Sequence, residues 1–156
     1  MEDIKTRVLD AVKEAMRAKD QSRLNVLRLI TAAIKQKEID SRPQTGDTPL
    51  DDQQIIAVLD KMIKQRRESI EQFTQAGRKE LADKEVQEIS IIETFLPAAL
   101  SEAEVNQFIQ EAIQSSGATS AKDMGKVMNI LRPQLQGRAD MKVVSEKIKS
   151  HLSAEG

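Results

Sequence analysis

The chain has 156 residues, a net charge of −1, and no cysteine, tryptophan or tyrosine. Without cysteine there can be no disulfide, no thiolate nucleophile and no cysteine-ligated metal or iron–sulfur centre. The length suits one ordinary domain or two small helical bundles. No stretch approaches the ~18 apolar residues of a membrane span, and "MEDIKTRVLD" lacks the apolar segment of a signal peptide. We therefore expect a soluble, cytoplasmic protein with no membrane contact.

Apolar residues recur at spacings of three and four along the first part of the chain, which is the period of an amphipathic helix. The predicted helices cover residues 4–19, 22–39, 49–76 and 79–95. Proline and glycine in the stretch 41–47 predict a loop. Thr48 is predicted to cap the third helix, with Pro49 at its first position and Gly77 just past its end. Four helices with short connections predict a four-helix bundle over residues 1–96.

The last third of the chain shows the same helical period after an interruption at Pro97, which cannot continue a helix. Ser101 with Glu104 three residues later has the pattern of a capping box, and Ser120 with Asp123 repeats it. Asp140 is predicted to cap the final helix. These signals predict a three-helix bundle over residues 97–156, so the fold class is all-α with two domains.

The stretch "DMGKVMNILRPQLQGRAD", residues 123–140, places two glycines and a proline within one helix and the turn that follows it. Gly125 inside a helix costs about 1 kcal/mol relative to alanine, and we expect it to permit close approach of another helix. Pro133 is predicted to stop that helix. Gly137 is predicted to adopt the left-handed conformation that directs the chain toward the last helix.

The sequence offers little for catalysis. His151 is the only histidine, and no nucleophile elbow, zinc-binding helix, phosphate loop or dinucleotide fingerprint occurs. The carboxylate pairs 51/52 and 85/88 are the only candidates for Mg²⁺, and on helices this charged we expect them to be solvated or paired with Lys and Arg. Arg66 and Arg67 are a weaker candidate for a phosphate contact. We predict no catalytic residue, no metal site and no cofactor.

Positive charge is concentrated near the end of the chain. Residues 117–150 contain seven Lys or Arg and three Asp or Glu, whereas the preceding 116 residues contain 17 and 21. The turn at Gly137 and the start of the last helix form a corner that can accept a phosphate. The predicted nucleic-acid-binding residues are Lys122, Lys126, Arg132, Arg138 and Lys142, with the first two on one helical face. All three phenylalanines occupy apolar positions, so base stacking is not expected.

Four segments together resemble the YqeY-like (GatB/YqeY) family, in the order and spacing found there: "RLNVLRLITAAIKQKEID", "KMIKQRRESIEQFTQAGRKELADKE", "FLPAALSEAE" and "KDMGKVMNILRPQLQGRAD". Members of that family are similar to the C-terminal tail of the GatB-type subunit of the aspartyl/glutamyl-tRNA amidotransferase. The resemblance implies a four-helix bundle followed by a three-helix bundle. It also implies contact with transfer RNA, because that tail holds the body of the tRNA. The large catalytic part of the amidotransferase subunit has no counterpart here.

These observations predict a non-catalytic accessory module whose partner is tRNA or a tRNA-handling complex, recognised by shape and phosphate backbone. An alternative is a protein-interaction module that docks a protein partner through the long third helix. A weaker alternative is a carbon–nitrogen ligase with glutamine as amido donor, which rests on the family name alone. Hydrolysis of glutamine normally needs an activated nucleophile, and none is recognisable.

Overall fold

The computed structural model describes residues 3–155, and the side chains of residues 3–153. This part of the chain is helical and contains no named strand, which confirms the all-α prediction. The helices are α1 (Ile4–Ala18), α2 (Gln21–Thr45), α3 (Asp52–Gln75), α4 (Lys79–Glu93), α5 (Glu102–Ser116), α6 (Met124–Leu135) and α7 (Met141–Glu155), and a 3-10 turn (Ala121–Asp123) precedes α6.

The helices are grouped into two compact units, residues 1–96 and residues 97–156. In the first unit α1 packs on α2, α3 packs on α4, and α2 contacts both α3 and α4. The apolar faces of the four helices form one continuous core, in which Val8, Leu27, Ile30, Leu59 and Ile92 are fully buried. No polar or charged residue is buried among the described side chains, so this core is held by apolar burial alone.

The second unit has its own core, formed where α5, α6 and α7 meet. Val127, Leu131 and Leu135 of α6 are fully buried there, together with Ile148 of α7. Their spacings of four place one side of α6 in the core. The opposite side of α6 therefore faces outward.

Each unit contains a helix whose start is fixed by a capping box. In α3 the carboxylate of Asp51 accepts the N–H of Gln54 at 2.8 Å, and the Gln54 side chain accepts the N–H of Asp51 at 2.9 Å. This is a capping box, and it corrects the prediction that Thr48 is the cap. The Thr48 hydroxyl instead donates to the carbonyl of Thr45. The predicted capping box at the start of α5 is confirmed, with both Ser101–Glu104 hydrogen bonds at 3.2 Å.

Two prolines predicted to end or interrupt helices lie inside them. Pro43 lies in the last turn of α2 and Pro133 in the last turn of α6, so the predicted loop at 41–47 is mostly helical. A proline removes the hydrogen bond of its own nitrogen and crowds the carbonyl four residues earlier, but the amides that follow it can still bond. Gly46 N–H donates to Arg42 O at 2.8 Å, and Gln136 N–H donates to Arg132 O at 3.0 Å. Each helix therefore continues two residues beyond its proline.

The predicted cap at Ser120 is absent from the structure, since this side chain makes no capping hydrogen bond. The Asp123 carboxylate accepts the N–H of Thr119 at 3.0 Å instead, and a 3-10 turn forms between them. That backbone hydrogen bond is the main reason why the pKa of Asp123 lies below its ordinary value. A single carboxylate thus organises the entry to α6.

The two glycines of residues 123–140 have different roles from each other. Gly137 has φ +81°, which confirms the predicted left-handed turn between α6 and α7. Apart from its chain neighbours and the backbone of its own helix, Gly125 has no heavy atom within 4 Å of the position that a Cβ would occupy, and it is exposed. The prediction that Gly125 permits close approach of a neighbouring helix is therefore wrong within this chain, because nothing approaches it.

These two environments predict opposite effects of alanine on stability. Gly137→Ala should lower the free energy of unfolding by about 1 kcal/mol, because a side chain is strained at positive φ. Gly125→Ala should raise it by a few tenths to ~1 kcal/mol, because alanine is the better helix former and meets no neighbour. Urea unfolding followed by circular dichroism measures both changes. Loss of stability in Gly125→Ala would contradict the open environment of that glycine.

Candidate nucleic-acid interface

The outward side of α6 is an exposed polar face, defined here by Gly125, Lys126, Asn129, Arg132 and Pro133 and called the α6 outer face. All five residues are exposed. The spacing of four and then three from Gly125 to Asn129 to Arg132 places these three on one line of the helix, with the other two beside it. The sequence pattern singled out the two cations but not the amide side chain between them.

Two residues change the main chain of the α6 outer face, Gly125 and Pro133. Gly125 contributes no side chain, and the space beside it is open. Pro133 has no N–H, so the carbonyl of Asn129, four residues earlier, lacks its usual donor within the helix. The face therefore combines two cations, a carboxamide and a main-chain carbonyl that lacks its usual helical donor.

The five residues predicted from the sequence lie on three elements and the turn that joins two of them. Lys122 is in the 3-10 turn, Lys126 and Arg132 are on α6, Arg138 is in the turn after α6, and Lys142 is in the first turn of α7. Lys122 lies in the 3-10 turn that runs directly into α6, so the predicted shared face of Lys122 and Lys126 spans two helical elements and stays a prediction. The Lys126 ammonium lies 3.8 Å from the Asp123 carboxylate, at an exposed position where such a pair contributes little stability.

Arg138 is part of the internal structure of the second unit. Its Nε donates to the carbonyl of Ala98 at 3.4 Å, and its own carbonyl accepts the N–H of Leu100 at 2.9 Å. Its charge also reaches Glu104, whose pKa is lowered first by the hydrogen bond from the Ser101 backbone and in smaller part by Arg138. Arg138 thus connects the turn after α6 to the segment that leads into α5.

The start of α7 is capped by Asp140, as predicted. Its carboxylate accepts the N–H of Lys142 at 3.0 Å, and its carbonyl accepts the N–H of Val144 at 3.1 Å. A carboxylate therefore already lies where a phosphate was expected to meet the positive end of the helix dipole. Lys126 and Arg132 on the α6 outer face therefore make fewer contacts within the protein than Arg138 in the turn before α7.

A second polar cluster lies in the first unit, where Arg66 of α3 meets two carboxylates of α4. The Arg66 Nε donates to Glu88 at 3.1 Å and lies 3.9 Å from Glu85, and its Nη1 donates to the carbonyl of Met62. The three side chains are partly buried, with 13% to 24% of their area exposed. The prediction that the 85/88 pair is matched with a basic residue is confirmed. Among residues 3–155 no group of three His, Cys, Asp or Glu is placed to hold a metal ion.

The charge balance of this cluster is incomplete. Burial raises the pKa of Glu85, the nearby Glu88 carboxylate raises it further, and the opposing charges of Arg66 and Lys84 do not reverse the effect. The Arg66 guanidinium therefore interacts more strongly with the Glu88 carboxylate than with the Glu85 carboxylate. Such a half-satisfied cluster is a source of pH-dependent stability rather than a catalytic pair.

The fold and these surfaces define a class of protein: an all-α chain of two helical units, with an exposed basic helix face and no recognisable catalytic constellation in its described part. The family model of the Yqey-like proteins matches residues 5–152. The chain therefore belongs to the Yqey-like family, and the resemblance drawn from the four sequence segments is confirmed at that level.

Relatives among known proteins have the name "Altered inheritance of mitochondria protein 41, mitochondrial". The protein from Eremothecium gossypii is 39% identical over 113 residues, which is 69% of this chain and 60% of the relative. Those from Kluyveromyces lactis and Pyrenophora tritici-repentis are 33% and 31% identical over 92% of this chain, and the matches cover 72% and 78% of those relatives. The chain thus spans about 60% of the first of these proteins.

The names of these relatives contradict the predicted cytoplasmic location, because they assign the similar proteins to mitochondria. The prediction relied on the lack of cysteine and of an apolar starting segment. Mitochondrial transit segments are amphipathic and rich in arginine rather than apolar, so the lack of an apolar starting segment does not distinguish the cytoplasm from mitochondria. Separately, none of the helices within residues 3–155 is long and apolar enough to cross a membrane.

The polar cluster on α3 and α4 predicts a specific pH dependence for Glu85→Gln. The pKa of Glu85 is higher in the folded chain than its ordinary value of 4.5, so folding favours the protonated form. That contribution is complete below about pH 4.5 and is lost as the pH rises through the raised pKa. Glutamine stays neutral throughout, so the stability of the variant relative to the original chain should rise with pH in this window.

Urea unfolding at a series of pH values between about 4 and 8 measures that difference, with the exposed residue change Glu68→Gln as control. Glu88→Gln should behave differently at neutral pH and lower the stability, because it weakens the charged hydrogen bond from Arg66. A Glu85→Gln variant whose relative stability falls as the pH rises would show that Arg66 stabilises the ionised Glu85.

Proposed function

We propose that this chain is a non-catalytic accessory module that contacts tRNA, or a tRNA-handling complex, by shape and phosphate backbone through the α6 outer face. The supporting observation is the open environment of Gly125 next to Lys126, at the start of α6. Gly125 is the second residue of α6, where glycine is a poorer helix former than alanine, and no packing contact that the structure shows within the second unit accounts for it. Close approach of an external backbone does account for it.

The charges of α6 suit a phosphate ligand. Lys126 and Arg132 are six residues apart, which corresponds to roughly 9 Å along the helix axis. Both are exposed, so neither has a large desolvation penalty to overcome when it meets a ligand. Residues 117–150 carry seven cations and three anions, which adds a long-range attraction for a polyanion. The amide of Asn129, between the two cations, can hydrogen-bond to phosphate or sugar oxygens.

Recognition by base stacking has no support in the described structure. Phe95 is buried, while Phe73 and Phe108 are partly buried, and Phe108 packs against the core of the second unit. These are the only aromatic residues of the chain. The proposal is therefore limited to contacts with phosphate and sugar, which hold a nucleic acid without reading individual bases.

The alternative of a protein partner on α3 has less support. The large apolar side chains that the structure shows as exposed are Leu9, Met16, Leu29, Ile39, Val86 and Val143, and none of them belongs to α3. Protein interfaces usually depend on a few buried apolar or aromatic anchors. The carbon–nitrogen ligase alternative still rests on the family name.

The direct test replaces Lys126 and Arg132 with glutamine in the full chain and measures binding of total tRNA at several salt concentrations. Each phosphate neutralised by a cation contributes about one unit to the slope of log K against log salt. The double variant should bind more weakly and lose up to about two units of slope. The control variant replaces two exposed cations of α4, Lys79 and Lys84, with glutamine. It removes the same amount of charge from another surface and should change tRNA binding little. Equal binding by both double variants would remove the α6 outer face from the proposal.

Gly125→Gln separates shape from charge. This variant adds no charge and should fold normally, because the site is open and φ is not positive. It should weaken tRNA binding by roughly fivefold or more, because the side chain keeps a ligand backbone away from the helix. Circular dichroism checks folding, and the same tRNA titration checks binding. Unchanged affinity would leave Gly125 without an explanation in terms of a ligand.

A further inference from the structure

The first unit carries a groove between α1 and α2 that its own packing leaves open. The groove has a volume of about 350 Å³. Val8 and Ile34 form its floor and belong to the buried core. Leu9 on α1 and Ile39 on α2 form part of its walls, and they expose 46% and 39% of their area. Two of the six large apolar side chains that the structure shows as exposed therefore line one groove.

The rim of the groove is positively charged. Lys5, Lys35 and Arg42 line it together with one acid, Glu38. The sequence of this unit, residues 1–96, has 17 basic and 18 acidic residues, so the excess of cations is local to the groove. An apolar channel with a cationic rim is complementary to an amphipathic ligand that carries negative charge.

The charges on the rim differ in how firmly they are held. The Lys5 ammonium and the Glu38 carboxylate lie 2.9 Å apart and join α1 to α2, which fixes the spacing of the two helices. Arg42 lies 3.5 Å from Asp47, but both side chains are well exposed, so this pair costs little to exchange. Lys35 makes no ion pair or side-chain hydrogen bond with any residue that the structure describes. Two cations are thus available to an incoming carboxylate.

We propose that the groove between α1 and α2 binds an acidic amphipathic helix of a protein partner. Its α2 side extends from Thr31 to Arg42, eleven residues apart, or about 16 Å, which is the length of three helical turns. Two or three apolar side chains on one face of the partner helix cover Leu9 and Ile39, and carboxylates on its flanks face Lys35 and Arg42. This helix-in-groove mode is independent of the proposed tRNA contact, which concerns the other unit.

The test uses the full chain and a synthetic helical peptide of about 14 residues, with leucines at spacings of three and four and glutamates on the flanks. A second peptide has lysine in place of every glutamate, and a third has serine in place of every leucine. Amide NMR spectra recorded during titration locate the binding site. The acidic peptide should shift signals of α1 and α2 around the groove, and both control peptides should bind at least about tenfold more weakly.

Variants of the protein provide the matched comparison. Leu9→Ser and Lys35→Glu should each weaken binding of the acidic peptide by roughly five- to tenfold, the first at all salt concentrations and the second mainly at low salt. Leu29→Ser changes a leucine of α2 that is 49% exposed, similar to Leu9, but does not line the groove, and it should leave binding unchanged.

Three results would overturn the proposal. One is the absence of signal shifts around the groove at about 1 mM acidic peptide, a concentration that detects even weak complexes. Another is equal binding of the acidic and basic peptides. The third is concentration-dependent self-association of the chain that Leu9→Ser abolishes, which would assign the groove to a second copy of the protein.

Discussion

Burial of apolar helix faces is the interaction on which both units depend. The chain has no cysteine, and its described part has neither a metal cluster nor a named strand, so no other strong cross-link contributes. The second unit is about 60 residues long, a size at which hydrophobic burial only narrowly exceeds the entropy cost of folding. Helix caps such as the Ser101–Glu104 box, each contributing about 1 kcal/mol, are a large share of that margin.

Use of one side of each helix for the core determines what the other sides can do. In α6 the core takes Val127, Leu131 and Leu135, which leaves the α6 outer face with its cations and its open glycine. In α1 and α2 the core takes the floor of the groove but leaves Leu9 and Ile39 exposed beside cations. The two proposed contacts thus lie on surfaces that are unneeded for folding, so they can be changed with little loss of stability.

Most of the fold could be predicted from the sequence because apolar periodicity and capping residues act locally. The all-α class follows from the period of three to four, and the Ser101–Glu104 box and Gly137 behave as their residue types require. The errors have equally local causes. Pro43 and Pro133 lie within last turns, where the loss of one hydrogen bond does not stop a helix.

The candidate site was less predictable because it depends on which charges the fold itself uses. Sequence spacing grouped five cations, but Arg138 is held by the Ala98 carbonyl, and the Asp140 carboxylate occupies the start of α7. The openness around Gly125 is a property of three-dimensional packing, and no local pattern reports it. Cellular location is not a property of the fold, and the names of the relatives contradict the prediction of a cytoplasmic one.

Hydrogen–deuterium exchange of the full chain with and without tRNA tests the central claim most directly, because it reports protection along the whole backbone. At low salt the account predicts protection of residues 122–133, covering the 3-10 turn and the α6 outer face, and loss of that protection as salt is raised. Protection confined to α1–α4, or exchange in residues 122–133 unchanged by saturating tRNA, would contradict it.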